Sequence, residues 1–233
     1  MHRQPHTAGM TLLEVLVGLA IGLFVAAAAT ALLQQFLFDN RQLLLRMRLE
    51  QQMQAVADAA VHELRRAGHW EKAQLGVADN FDFARANPYA ALDDAEAERP
   101  SDGIRFSWSG GGAEADPNGV SQAEATGLRL VEGQVKQLKG GNWQPLTDAA
   151  FMTVTAFEVT LHQRALDLER HCERPRPQGS CATGAGRICP PRLLKRDLDV
   201  RLEGFATREP TLTHALNTQV QLRNDVVEGE CPR

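Results

Sequence analysis

The stretch GMTLLEV at residues 9–15 begins the longest apolar run in the chain. From Leu12 to Leu33 there are 22 residues, and Glu14 is the only charged residue among them. A helix of that length is about 33 Å long, enough to cross the roughly 30 Å hydrocarbon core of a bilayer. A carboxylate inside that core costs about 2.5–3.5 kcal/mol, so we expect Glu14 to have a cationic partner.

The nine residues before the apolar run are short, polar and slightly basic, and they end in Ala8-Gly9. A secretory signal peptide has its small-residue cleavage site after the apolar stretch, whereas here the small residue comes first. Cleavage after Gly9 would keep the helix on the product and give Met10 a new ammonium group, four residues before Glu14. The alternative, which the residues alone leave open, is an uncleaved membrane anchor.

Residues 9–15 and the apolar run after them closely resemble the type IV prepilin processing motif. The resemblance implies that a prepilin peptidase/N-methyltransferase cuts after Gly9 and methylates the amino group of Met10. It also implies that Glu14 is the carboxylate used in recognition and filament assembly. A protein of this kind is expected to cross the bacterial inner membrane once, with its C-terminal domain in the periplasm.

The net charge of the 233-residue chain is −4, which gives no electrostatic footprint for nucleic acid, so no nucleic-acid partner is predicted. The histidines His162, His171 and His214 lie near acidic residues in sequence but match no catalytic motif, and we interpret them as exposed. The acidic cluster at 93–98 lacks the spacing of a calcium loop. We therefore predict a structural protein with no catalytic residues, no cofactor and no metal.

Four cysteines lie in the last 62 residues, and an even number in an exported domain predicts two disulfides. Their spacing does not match the close pairs that are typical of zinc sites. Three pairings are possible, and we favour one bridge that closes a Pro/Gly-rich loop and a second that ties down the C-terminal end. In that pairing, Cys172 joins Cys181 and Cys189 joins Cys231.

The helix is predicted to continue beyond the membrane segment, because residues 34–67 contain no proline or glycine. Leu45, Leu49, Met53, Val56, Ala60 and Leu64 form an apolar stripe at helical spacing. Gly68 is expected to end the helix. The predicted divisions are a leader at 1–9, a transmembrane half-helix at 10–33, an amphipathic half-helix at 34–70 and a β-rich domain at 71–233.

Short alternating segments predict strands in the C-terminal domain, at 104–108, 128–131, 134–138, 154–161, 198–206 and 220–226. Glycines at 133, 140 and 141 predict turns between some of them. The expected fold is therefore α+β and pilin-like: a long N-terminal helix packed on a mainly antiparallel sheet.

Two later segments, LRRAGHW at 64–70 and VQLRND at 220–225, resemble the PilW group of minor pilins. This resemblance implies a minor pilin that joins other minor pilins, and then the major pilin, in a tip or priming complex for type IV pilus assembly. The alternatives are a minor pseudopilin of type II secretion (the J component), a ligand-binding adhesin at the pilus tip, and an uncleaved membrane-anchored enzyme.

Overall fold

The computed structural model of the chain describes residues 11–76, 86–110, 120–173, 190–229 and 231. These residues belong to two compact units that divide between Arg48 and Leu49. The Gly9–Met10 site, Cys181 and Cys189 lie outside the described residues, so the predictions made for them stay predictions.

The first unit is the N-terminal part of a single long helix, α1, which runs Leu12–Leu64. Its side chains up to Asp39 are exposed, including large apolar ones such as Leu12, Leu19 and Phe24. Within the described ranges α1 is the one helix long and apolar enough to span a membrane, with a mean hydropathy of 2.5 in its most apolar window. Such exposed apolar surface is stable only in lipid or against other apolar helices.

The second unit begins with the last four turns of α1, which bury the predicted stripe. Leu49, Met53, Val56, Ala60 and Leu64 are all buried, whereas Leu45 is only partly buried. This face contributes to one hydrophobic core together with the inward side chains of the strands. The fold class predicted from the sequence, a long N-terminal helix with an antiparallel β domain, is confirmed.

The described part of the second unit contains ten strands, several of them very short. They are β1 Leu92–Asp93, β2 Pro100–Ser101, β3 Gly103–Ser107, β4 Ala125–Val131, β5 Gln134–Lys139, β6 Asn142–Pro145, β7 Met152–Asp167, β8 Arg192–Ala206, β9 Glu209–Gln221 and β10 Val226–Glu228. They form two antiparallel sheets instead of the single sheet that we expected.

The first sheet has the order β1-β3-β4-β5-β6, so its last four strands follow one another as hairpins. The turn between β4 and β5 contains Glu132 and Gly133 with φ of 52° and 73°, and the next turn contains Gly140 and Gly141 with φ of 58° and 78°. Two positive φ values are typical of the tight turn that matches the twist of a β-hairpin. The predicted β4–β5 hairpin and the predicted turn after β5 are confirmed, whereas β6, which makes that turn a second hairpin, was not predicted.

The second sheet has the order β10-β8-β7-β2, with β9 also paired to β8. Because β7 pairs with β8 along its full length, β9 and β10 share the other edge of β8. Gln221 of β9 lies opposite Asp197, and Val226 of β10 lies opposite Leu194. The single strand predicted at 220–226 is therefore wrong, since the chain leaves the sheet at 222–225 between two strands.

The disulfide pairing that we favoured is also wrong, because Cys172 is bonded to Cys231. The register of the second sheet explains the pairing. The last residue of β7, Asp167, and the last residue of β10, Glu228, both lie opposite Arg192 at the start of β8. The segments that follow β7 and β10 therefore leave the sheet at the same end, which brings the two cysteines together.

Candidate processing site and domain junction

The described chain begins two residues after the predicted cleavage bond, at the start of α1. The N–H groups of Glu14 and Val15 donate to the backbone carbonyl of Thr11 at 3.1 and 3.2 Å, and the Glu14 N–H also lies 3.4 Å from the Thr11 hydroxyl. Thr11 is thus the N-terminal capping residue of the helix. We did not identify this role from the sequence, although threonine followed three residues later by glutamate is a known capping pattern.

The Glu14 carboxylate has no hydrogen-bond or ion-pair partner among the residues that the structure describes. As an acid in the first turn it interacts favourably with the helix dipole, but that interaction alone does not neutralise its charge. The carboxylate is therefore available to a cation from residues 1–10 or from another chain.

A second cluster of polar contacts lies at the other end of α1, and we call it the helix-end junction. Its backbone runs through the turn at 65–68, where Gly68 has a φ of 73°. A Cβ at Gly68 would lie 3.3 Å from Cβ of Asn224 and 3.4 Å from Nη2 of Arg196. Both the positive φ and the close packing favour glycine at this position. Glycine lets the chain turn away after the helix and leaves room for the side chains of Asn224 and Arg196.

Two asparagine side chains hold the carbonyl groups of this turn. The Asn224 amide donates to the carbonyl of Ala67 at 2.9 Å, and the Asn87 amide donates to the carbonyl of Gly68 at 2.8 Å. The Gly68 N–H in turn donates to the Ser107 carbonyl at the end of β3. Carbonyl groups at the C-terminal end of a helix have no partner within the helix, and here the β domain provides one.

Arg196 of β8 connects the same junction to the second sheet. Its guanidinium donates to the carbonyl of Ala90 at 2.6 Å and to that of Asn224 at 2.9 Å, while its Nε has no partner among the described residues. Only 4 % of the residue is exposed, and this burial lowers the pKa of Arg196. The side chain is nonetheless a buried cation, because arginine does not lose its proton in proteins.

We did not single out Arg196 from the sequence. It lies in phase with Leu198, Val200 and Leu202, which face the core from alternate positions of β8. The sequence could have identified Arg196, because it is a charged residue at one of the alternating core-facing positions of a strand. Such a residue needs specific hydrogen-bond acceptors when it is buried.

A buried carboxylate lies close to the same junction. Glu124 accepts hydrogen bonds from the Ser121 N–H at 3.0 Å, from the Tyr89 hydroxyl at 3.0 Å and from the Gly110 N–H at 3.4 Å. Burial acts to raise the pKa of Glu124, but these donors outweigh it and hold the pKa below its usual value. For Tyr89, burial and the bond to Glu124 both raise the pKa.

The acidic segment at 93–98 and His162 form ion pairs instead of a metal site. The His162 ring bonds to Glu98 at 2.8 Å through Nδ1 and to Asp199 at 3.0 Å through Nε2. Asp94 pairs with Arg105, and Glu96 pairs with Arg99. In the described part of the chain, no group of three or more metal-ligating side chains comes together.

Comparison with known families gives two matches, one at the N-terminal end of the chain and one over most of the rest. Residues 5–30 match the prokaryotic N-terminal methylation motif, which includes the predicted cleavage bond and Glu14. Residues 42–222 match the family described as prepilin peptidase-dependent protein B, and this match covers more than half of the chain. The chain belongs to the prepilin peptidase-dependent protein B family.

Membership of the prepilin peptidase-dependent protein B family, together with the methylation motif, makes the chain a type IV prepilin-like protein of the minor pilin kind. The family match contains the LRRAGHW segment at 64–70 and ends at Leu222, within the second segment that we compared with PilW. The one N-terminal apolar helix suits a single-pass membrane-anchored pilin. Searches of curated proteins and of solved structures gave no significant match.

Proposed function

We propose that this chain is a minor pilin of the PilW type that joins a tip or priming complex for type IV pilus assembly. The observation that carries the proposal is Glu14, the one charged residue from Leu12 to Leu33, whose carboxylate has no partner in the described chain. A structural protein that acts by assembly has a reason to keep such a charge, because a neighbouring subunit supplies the partner.

In this scheme the prepilin peptidase/N-methyltransferase removes residues 1–9 and methylates the amino group of Met10. A methylated amine still carries a positive charge at neutral pH. The ammonium group of one subunit then pairs with Glu14 of its neighbour inside the apolar helix bundle. A charge pair is strengthened by the low dielectric there, and a Glu14 left without its partner is strongly unfavourable.

The second unit of the chain is the part that we assign to the periplasm. Its Cys172–Cys231 disulfide supports this assignment, because disulfides persist in oxidising compartments such as the bacterial periplasm. The proposed partners are the prepilin peptidase/N-methyltransferase, the inner membrane, other minor pilins and the major pilin.

The substitution Glu14→Ala tests the role of the carboxylate. We expect the variant to insert into the membrane in normal amounts but to support few or no pili, counted by electron microscopy. Glu50→Ala is the matched control, because Glu50 is also an exposed helical glutamate but lies outside the apolar run. Normal piliation in Glu14→Ala would contradict the proposal.

Deletion of the gene separates the pilus from the secretion alternative. A minor pilin predicts loss of surface pili with normal secretion of exoproteins. Loss of secretion with normal pili would instead identify a minor pseudopilin of a type II secretion system.

A further inference from the structure

Strand β9 lies at an open edge of the second sheet. It runs Glu209–Gln221 and pairs with β8 along one side, whereas its other side has no strand partner in the described ranges. In an antiparallel strand, alternate residues direct their N–H and C=O groups toward each side. The open side of β9 therefore presents a row of backbone donors and acceptors that matches the backbone of a further strand.

The open edge of β9 lacks the features that keep other edges from pairing. Sheet edges are commonly protected by short strands, by charged side chains and by proline. Residues 211–221 contain no proline and no Lys, Arg, Asp or Glu. By contrast, β1 and β2 have two residues each, β6 ends in Pro145, and β7 is partly covered by β2 and carries Glu158 and Arg164. Within the described part of the chain, β9 is thus the one long uncharged edge.

Two leucines of β9 face the core side of the sheet without being fully covered. Leu216 lies opposite the buried Leu202 of β8, so it shares the core-facing side, and Leu212 is on the same side by alternation. Leu212 and Leu216 are nevertheless only partly buried, and neither belongs to the hydrophobic core that the described residues form. A strand added to this edge would bury more of both leucines, which favours its addition.

We propose that β9 pairs antiparallel with β9 of a second copy of this chain, about a two-fold axis at Leu216, so that the two second sheets become one. In this register Leu216 lies opposite Leu216 of the second copy and Leu212 lies opposite Val220. His214 then lies opposite Thr218, so no like charges face each other. A shift of two residues in either direction would place Leu216 opposite His214 or Thr218, and the match of apolar side chains would be lost.

The exposed face of β9 also matches itself in this register. Ala215 lies opposite Asn217 of the second copy, and Thr213 lies opposite Gln219, so every facing pair is neutral. A two-fold pairing covers the same edge on both copies and leaves no new open edge where they meet. Such closed two-fold arrangements are the commonest among oligomers of identical chains. These features favour a second copy of this chain over a strand of unrelated sequence.

The first test measures energy transfer between donor-labelled and acceptor-labelled full chains, diluted in phosphatidylcholine vesicles. Ala215→Lys/Asn217→Lys places lysine opposite lysine twice, and we expect the copies to associate about tenfold more weakly than the parent. The matched control is Ala215→Lys/Asn217→Glu, which places lysine opposite glutamate and should associate at least as well as the parent. Both positions are exposed, and all variants keep the same α1, so contacts between membrane helices contribute equally.

A mixture of two variants tests the register itself. When Ala215→Lys/Asn217→Lys is mixed with Ala215→Glu/Asn217→Glu, each lysine lies opposite a glutamate of the other copy, so we expect energy transfer between the two variants to return. Equal association of Ala215→Lys/Asn217→Lys and its matched control would overturn the proposal, as would a parent chain that shows no transfer. Unchanged melting temperatures of the variants would show that the β domain is intact.

The second test identifies what covers the edge in cells. A photo-crosslinking residue replaces Gln219, which the proposal places opposite Thr213 of the second copy, and the adducts are mapped by mass spectrometry. An adduct between two copies at β9 supports the proposal. Adducts only to another protein or to residues 174–189 of the same chain, or no adduct at all, would overturn it. Because no readout here is piliation, the proposed function and the β9 pairing can fail independently.

Discussion

The side-chain amide of Asn224 donates a hydrogen bond of 2.9 Å to the backbone carbonyl of Ala67, 157 residues earlier in the chain. This bond joins the two segments whose sequences resemble the PilW group. It also explains why the chain leaves the second sheet between β9 and β10. The excursion at 222–225 brings Asn224 to the end of α1 and to the buried guanidinium of Arg196.

The Asn224 contact predicts the effect of Asn224→Ala. The substitution leaves the Ala67 carbonyl without its donor, and we expect a loss of about 1–3 kcal/mol in the free energy of unfolding. Denaturant unfolding of the full chain in detergent, followed by tryptophan fluorescence, measures the change. The control is Asn217→Ala on the exposed face of β9, because the Asn217 side chain has no hydrogen bond to any residue that the structure describes. Equal stability of the two variants would show that the junction bond does not matter.

The Cys172–Cys231 bridge predicts a specific peptide map. Non-reducing digestion should yield a peptide containing Cys172 linked to one containing Cys231. The bridge has a sequence separation of 59 residues. Replacing both cysteines by serine should therefore lower the free energy of unfolding by about 2–4 kcal/mol, chiefly by enlarging the unfolded ensemble. A peptide that links Cys172 to Cys181 would contradict the structure and restore the pairing that the sequence suggested.

The ion pairs of His162 predict a pH-dependent contribution to stability. The hydrogen bond to Glu98 and, to a smaller extent, the hydrogen bond to Asp199 raise the pKa of His162 above its usual value of about 6.5. The folded state therefore holds the proton more tightly than the unfolded state. The stabilisation is fully present below the unfolded pKa and is lost as pH rises through the folded pKa.

We accordingly expect the difference in melting temperature between the parent and His162→Gln to be largest near pH 5–6 and to shrink toward pH 9. Thermal unfolding across this range measures it. His214→Gln is the control, because its ring has no ionic partner in the part of the chain that the structure describes. A difference that grows with rising pH would show that the neutral ring, and not the imidazolium, makes the stabilising contacts.

Local patterns in the sequence were sufficient to predict α1, the β4–β5 hairpin and the turn that follows β5 in the first sheet. The stripe from Leu49 to Leu64 has helical spacing, and Gly133 and Gly140 mark tight turns, so each signal lies within a few residues of the element that it specifies. The role of Glu14 was inferred from its position in an apolar run, and it stays a prediction because Met10 lies outside the described residues.

Other features depend on contacts between distant segments and could not be predicted in this way. The pairing of Cys172 with Cys231 follows from the register of β7 and β10 on β8, which no local pattern encodes. The break after Gln221 exists because the Asn224 amide has an acceptor, the Ala67 carbonyl, at the end of α1, and the Asn224 carbonyl accepts from Arg196. The sequence marks Arg196 as a charged residue among the core-facing positions of β8. No local pattern identifies its hydrogen-bond acceptors, which are the carbonyls of Ala90 and Asn224.

The central claim is that this chain is a processed prepilin-like subunit, and mass spectrometry of its N-terminal peptide tests that claim most directly. The protein is isolated from its native membrane without overproduction, so that processing is complete. The account predicts a peptide that begins at Met10 and carries one added methyl group. A peptide that begins at Met1 would contradict the account, because the chain would then be an uncleaved membrane-anchored protein.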